Sequence, residues 1–135
     1  MRRAVIDPNV YISALLSGEG NLAALLKAWL RGDFELVISE MVISELERVL
    51  AYPKIVARIT WQESLEFIDL IGRRAIRAED PPGAPPVTSP DADDDYLITL
   101  AASERCVLVT GDGHLLGLAD QIPVYTPAGF LKLLA

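Results

Sequence analysis

Short apolar runs alternate along this chain with longer stretches in which apolar residues recur every three or four positions. The run Arg3 to Ile6 ends at Asp7-Pro8 and predicts a buried strand followed by a turn. Val10 to Leu16 predicts a helix stopped at Ser17-Gly18. Asn21 stands where it could cap a second helix that runs to Leu30 and closes at Gly32. Glu35 to Ile38 predicts a second strand, after which Ser39 caps a helix through Leu50 or Ala51, ended by Pro53. Thr60 and Glu63 have capping-box spacing and open a helix to Ile71, with Gly72 at its end. Arg74 to Arg77 is a candidate third strand. The stretch from Ala78 to Ala92 holds Pro81, Pro82, Pro85, Pro86 and Pro90 and predicts a loop within the domain, because neither flank alone could build a core. Beyond it, Asp91 to Asp95 opens a helix reaching Glu104. Val107 to Val109 and Val124-Tyr125 predict strands, and Thr126-Pro127 starts a terminal helix with proline at its first position.

Short apolar strands alternating with helices imply an α/β fold with a parallel sheet covered on both faces. In open sheets of this kind ligands bind beyond the carboxyl ends of the strands. Asp7 and Asp112 each follow such a strand. At 135 residues and 51% hydrophobic content the chain is expected to form one compact domain, residues 1 to 135. No secretory signal is visible, since the apolar stretch after Arg2-Arg3 is broken by Asp7, Pro8 and Asn9. No run approaches the ~20 apolar residues that cross a bilayer. The expectation is a cytoplasmic protein without a membrane partner. The single cysteine, Cys106, excludes an internal disulfide and reads as a buried thiol in a strand. A formal net charge of −7 argues against tight nonspecific binding to a duplex. A metal site would account for part of that charge, and Arg73, Arg74 and Arg77 form a local basic cluster.

Four short acidic motifs carry the candidate chemistry: Asp7 after Ala4-Val5-Ile6, Glu45 in Ile43-Ser44-Glu45-Leu46, Asp94 in Asp93-Asp94-Asp95, and Asp112 in Thr110-Gly111-Asp112-Gly113. Carboxylates gathered in one cleft repel one another unless a cation neutralises them, and the cation suited to oxygen ligands is Mg²⁺ or Mn²⁺. On a helical wheel Asp94 falls on the inward stripe marked by Leu97, Ile98 and Ala101, where a bare carboxylate is costly. Asp91 and Asp95 read better as helix caps answering the dipole. Asp7 reads either as a turn aspartate before proline or as a site residue. Asn9 and Ser13 share a helix face at i, i+4, where they could hold a carboxylate or a water, or Asn9 could cap. Glu45 and Glu47 flank the buried stripe of their helix on opposite sides, and periodicity does not choose between them. Asp112 and Thr110 fit a glycine-rich turn as well as a phosphate-facing site. His114 is the only histidine and reads as a surface or turn residue. One histidine and one cysteine do not make a zinc site.

The order Asp7-Pro8-Asn9-Val10, then Ser39 with Ser44-Glu45-Leu46 before Arg48-Val49-Leu50, then Asp91-Ala92-Asp93-Asp94-Asp95-Tyr96-Leu97, then Val109-Thr110-Gly111-Asp112, resembles a PIN domain. Within that superfamily it is most similar to the prokaryotic branch of VapC-type toxins of toxin–antitoxin pairs. The likeness runs from Arg3 to Thr126-Pro127-Ala128-Gly129-Phe130-Leu131. It implies a three-layer α/β/α fold with about five parallel strands. It implies Asp7, Glu45, Asp94 and Asp112 as the acidic metal-binding and catalytic set, preferring Glu45 over Glu47, with Asn9, Ser13 and Thr110 in support. It also implies single-stranded RNA as substrate and a small antitoxin as partner, and is compatible with a homodimer. The chain departs from the branch's pattern at Pro8, where threonine is common, and at Ala92, where proline is common; neither change removes a carboxylate. The expected activity is Mg²⁺- or Mn²⁺-dependent endoribonuclease cleavage. The alternative is a non-catalytic RNA- or protein-binding module with an idle acidic pocket. A phosphatase using Asp7 as nucleophile is a third reading, but nothing else marks a phosphomonoester pocket.

Overall fold

Five strands form an all-parallel sheet in the order β3-β2-β1-β4-β5: β1 (Arg3–Ile6), β2 (Glu35–Ile38), β3 (Ile76–Arg77), β4 (Val107–Val109) and β5 (Val124–Tyr125). The computed structural model describes residues 1–135. Ala4, Val5 and Ile6, Leu36, Val37 and Ile38, and Leu108 and Val109 are all buried. Such unbroken burial in the central strands requires cover on both faces of the sheet. Fully burying one of the larger aliphatic side chains contributes roughly 1.5–3 kcal/mol, so these three strands anchor the core.

The helices are α1 (Pro8–Ser17), α2 (Gly20–Leu30), α3 (Glu40–Leu50), α4 (Pro53–Val56), α5 (Trp61–Arg74), α6 (Asp95–Ser103), α7 (Gly113–Leu116) and α8 (Pro127–Leu134), with a 3₁₀ turn at Ala92–Asp94 leading into α6. The chain moves outward from β1 to β2 and β3 in one direction, then returns to the other side of β1 for β4 and β5. Right-handed crossovers in opposite directions put their helices on opposite faces. Accordingly α1, α2 and α8 pack together and α1 meets α3, while α6 lies on β1 and β4. Edge-to-face ring pairs join α1 to α5, through Tyr11 and Phe67 at 5.8 Å, and seat α8 on the segment before β2, through Phe130 and Phe34 at 5.0 Å between centroids. The expected α/β/α sandwich of about five strands is the one observed.

Several local expectations need correction. The second helix begins at Gly20 with Glu19 before it, so Asn21 lies inside the first turn and caps nothing. The first helix starts at Pro8, where the fixed φ of proline suits a first helical residue, and Asp7 rather than Asn9 is its cap. Gly72 does not end α5, which continues to Arg74; a helical glycine with nothing near its Cβ position is simply tolerated there. The third strand is limited to Ile76–Arg77. Pro53 ends α3 but also starts α4, and His114 sits in α7; both helices have only 4 residues, too short for a periodic signal. The Thr60–Glu63 capping box forms as expected, with both reciprocal bonds present.

Candidate active site

The strand order reverses between β1 and β4, and the residues that leave those two strands are Asp7 and Thr110. Ile6 pairs with Val109 in parallel register, and the Asp7 N–H donates to the Val109 carbonyl at 2.9 Å. The two following side chains therefore meet. The Thr110 hydroxyl donates to Asp7 Oδ2 at 2.8 Å, while Asp7 Oδ1 accepts the Asn9 N–H at 3.0 Å as the cap of α1. Thr110 Oγ1 also accepts the Asp112 N–H at 3.0 Å, which ties the two aspartate segments through one buried hydroxyl. Asp7 and Thr110 are both buried. Burial pushes the Asp7 carboxyl above its usual range, against the lowering effect of the Asn9 N–H and the Thr110 hydroxyl; the charges of Asp112 and Glu45 raise it further.

Asp94 comes in from the 3₁₀ turn before α6. Of its neighbours, Asp91 caps the turn, accepting the Asp93 N–H at 3.0 Å, whereas Asp95, expected as a cap, is the first residue of α6 and instead pins the preceding loop by accepting the Ser89 N–H at 2.7 Å. Asp94 stands at the N-cap position of α6, but its side chain makes no capping bond, and its Oδ2 is buried without a hydrogen-bond partner. Partial burial raises its pKa to about 7, followed by a carboxyl–carboxylate contact with Asp112 and by the charges of Asp112, Asp7 and Asp91. Two carboxylates facing each other have no hydrogen between them unless one is protonated, so the contact calls for a shared proton or a cation. Asp112 itself caps α7, its Oδ1 accepting the His114 N–H at 2.8 Å. The turn reading and the site reading thus both hold for Asp112: one oxygen organises the helix while the side chain also faces Asp94.

Asp7, Asn9, Glu45, Arg48, Asp94 and Tyr96 are among the residues lining one open cavity of about 660 Å³. Ser13 and Asp112 line an adjoining cavity of about 380 Å³ that shares Asp7 and Asn9. Of the seven residues singled out in the sequence, Asp7, Asp94, Asp112 and Thr110 converge through contacts or charge, and Asn9, Ser13 and Glu45 border the same space. Glu47 is exposed, whereas Glu45 is half-buried and its charge is felt by Asp7. Burial raises the Tyr96 hydroxyl, and so do the charges of Asp7, Glu45, Asp94 and Asp80, a further sign of the cavity's negative field.

Arg48 is the residue that sequence reasoning missed. Its guanidinium forks onto both oxygens of Glu45, with Nε to Oε2 at 3.1 Å and Nη2 to Oε1, and its Nη1 donates to the Tyr52 hydroxyl. The bond to Glu45 raises the Arg48 pKa. The i, i+3 spacing from Glu45 to Arg48 was the available signal. Arg73, Arg74 and Arg77, by contrast, are engaged elsewhere, with Asp69, the Leu30 carbonyl and Glu40 respectively.

The donor set suits a hard divalent cation: oxygen ligands only, one of them buried and unpartnered, in a field that raises carboxyl pKa values. Asp7, Asp94 and Asp112 fit such an ion by this chemistry. No group of three or more His, Cys, Asp or Glu side chains already stands in metal-holding geometry. A cation would therefore have to draw these carboxylates together.

A family model described as the PIN domain matches residues 3–114. Among solved structures, PAE2754 from Pyrobaculum aerophilum superposes with a TM-score of 0.65 at 19% identity, over 98% of this chain and 89% of that one. A chain of VapBC2 from Rickettsia felis, solved bound to a DNA fragment from their promoter, gives 0.63 at 13% identity over 92% and 98%. A chain of FitAcB from Neisseria gonorrhoeae gives 0.58 at 18% identity over 93% and 98%. No curated protein matches the chain. These similarities establish the fold, no helix is long and apolar enough to cross a membrane, and the family match over most of the chain makes this protein a member of the PIN domain family.

Proposed function

We propose that the protein is a metal-dependent endoribonuclease that hydrolyses single-stranded RNA in the cytoplasm, as the toxin of a toxin–antitoxin pair, with the whole chain acting as one nuclease domain. The observation that carries the reading is the Asp94 carboxylate, with one oxygen buried and unpartnered, set against Asp112 and Asp7 at the point where the strand order reverses. A fold keeps such repulsion where function requires it. Membership of the PIN family and fold likeness to chains of toxin–antitoxin complexes support the nuclease class and the antitoxin partner. A homodimer follows only from that likeness.

Asp7, Asp94 and Asp112 would hold one or two Mg²⁺ or Mn²⁺ ions, which supply Lewis-acid stabilisation of the phosphate and a more acidic water. Thr110 fixes the rotamer of Asp7 by its 2.8 Å bond, so that the Asp7 carboxylate is already oriented before substrate arrives. Asn9 and Ser13 border the cavity and offer polar groups to a water or a phosphate oxygen. Glu45 stands at the cavity wall with both oxygens on Arg48, and once released from that pair it would orient the attacking water. Attack by external water on phosphorus leaves a 5′-phosphate and a 3′-hydroxyl, and no side-chain nucleophile takes part. Incubation with a mixed single-stranded RNA pool in Mn²⁺ tests the proposal. Cleavage that is blocked by EDTA and lost in Asp94→Asn supports it; no cleavage, or cleavage indifferent to both, defeats it.

A second reading is a non-catalytic binding module on the same fold. It draws on the absence of a three-ligand cluster already in metal-holding geometry. Such a module would show no rise in melting temperature with Mn²⁺.

A further inference from the structure

A cavity of about 420 Å³ between α1, α3 and α4 adjoins the acidic one and is lined by two cations, one carboxylate and apolar side chains. Asn9, Glu45 and Arg48 line both, so the two share a wall. Arg48 is the one cation on the wall of the acidic cavity; the adjoining cavity adds Lys54 and the aromatic ring of Tyr52. Tyr52 is 37% exposed, and the Arg48 guanidinium stands 5.2 Å from its ring centroid. Two cations and a partly exposed aromatic ring, one face of it under Arg48, beside a candidate hydrolytic centre match the needs of an unpaired strand: charge for the phosphates, a π-surface for a splayed base.

We propose that this cavity is a nucleotide subsite for single-stranded RNA, seating the nucleotide next to the scissile phosphate. The base stacks on Tyr52, and Arg48 and Lys54 pair with flanking phosphates. The position of the scissile phosphate rests on the nuclease reading above; the binding itself does not. The planar fork that Arg48 now lays on Glu45 suits a phosphate equally well. The Arg48–Glu45 pair is partly open to water, at 57% and 34% side-chain exposure, so its exchange costs little. When Arg48 moves to the phosphate, Glu45 is released toward the acidic cavity that both residues border. Occupation of the subsite thereby frees the carboxylate assigned to the attacking water.

The test is fluorescence anisotropy with a short fluorescein-labelled mixed-sequence single-stranded RNA in EDTA, where binding is read without cleavage. Tyr52→Ala weakens binding by about ten-fold, in line with the loss of one stacked base, and Tyr52→Phe restores it. Arg48→Ala and Lys54→Ala each lower the slope of log affinity against log salt by about 0.7, one phosphate contact on a single strand. Unchanged affinity and salt slope in all three truncations overturn the subsite, as does a wild-type protein that fails to bind RNA in either EDTA or Ca²⁺. These positions are solvent-exposed, and circular dichroism verifies that the variants fold. If the variants lose binding but wild type never cleaves in Mn²⁺, the nuclease reading fails and the subsite stands. If wild type cleaves and the variants keep its KM, the subsite fails and the nuclease reading stands.

Discussion

Replacing Asp94 with asparagine is expected to stabilise the metal-free protein. The wild-type carboxyl has its pKa raised from 3.8 to about 7 by burial and by Asp112, Asp7 and Asp91. Between those values the folded protein holds a proton that the unfolded chain has released, so stability falls as pH rises through that window and the full penalty applies above it. At ~1.4 kcal/mol per pKa unit the ceiling is about 4 kcal/mol. The group is partly open to solvent, which reduces the realistic figure to roughly 1–2 kcal/mol. The substituted amide carries no charge at any pH and presents a hydrogen to Asp112. In EDTA at pH 8, Asp94→Asn therefore melts higher than wild type by roughly 3–10 °C. The gap narrows as pH falls through the window and closes below 3.8, where the wild-type carboxyl is protonated in both states. Saturating Mn²⁺ reverses the order, because an ion at 100 times its Kd adds about 2.7 kcal/mol to a protein that binds it and nothing to one that does not. Thermal unfolding followed by circular dichroism across pH, with EDTA or Mn²⁺, measures all of this. A variant no more stable than wild type at pH 8, or a gap that does not change with pH, refutes the reasoning.

Other perturbations have distinct signatures. Thr110→Val removes the donor to Asp7 Oδ2 and the acceptor of the Asp112 N–H in a buried position, and is expected to cost about 1–3 kcal/mol in chemical denaturation; the same variant lowers cleavage by loosening Asp7. Tyr11→Phe deletes a hydroxyl that is buried with no partner, while the ring keeps its contact with Phe67; its urea midpoint is expected to match or exceed wild type. Thr60→Ala breaks the capping box of α5 and is expected to lose about 1 kcal/mol with RNA cleavage unchanged per folded molecule.

The strands that build the site were legible because their apolar runs are short and bounded: β1, β2, β4 and β5 have the limits their patterns predict. So were the capping box at Thr60 and the proline-led start of α8, where local chemistry alone fixes geometry. The two four-residue helices α4 and α7 were not legible, since one turn carries no period. At the site, the inward stripe of α6 singles out Asp94 by periodicity alone, and the structure gives that side chain a buried oxygen without a partner. The link from Thr110 to Asp7 depends on parallel register between strands more than a hundred positions apart, which no local pattern encodes. Arg48 was overlooked because its role arises from Glu45 and Tyr52 at i−3 and i+4 on a helix surface, a pairing that ordinarily means only a solvated ion pair.

The central claim is that Asp7, Asp94 and Asp112 are a divalent-cation site awaiting its ion. Titration of Mn²⁺ into the purified protein, with free ion counted by electron paramagnetic resonance, tests it most directly. The account predicts saturable binding by wild type that Asp7→Asn and Asp94→Asn abolish while Glu47→Gln leaves it intact. Free Mn²⁺ that tracks added Mn²⁺ from the first aliquot, or binding that survives both aspartate substitutions, would contradict it.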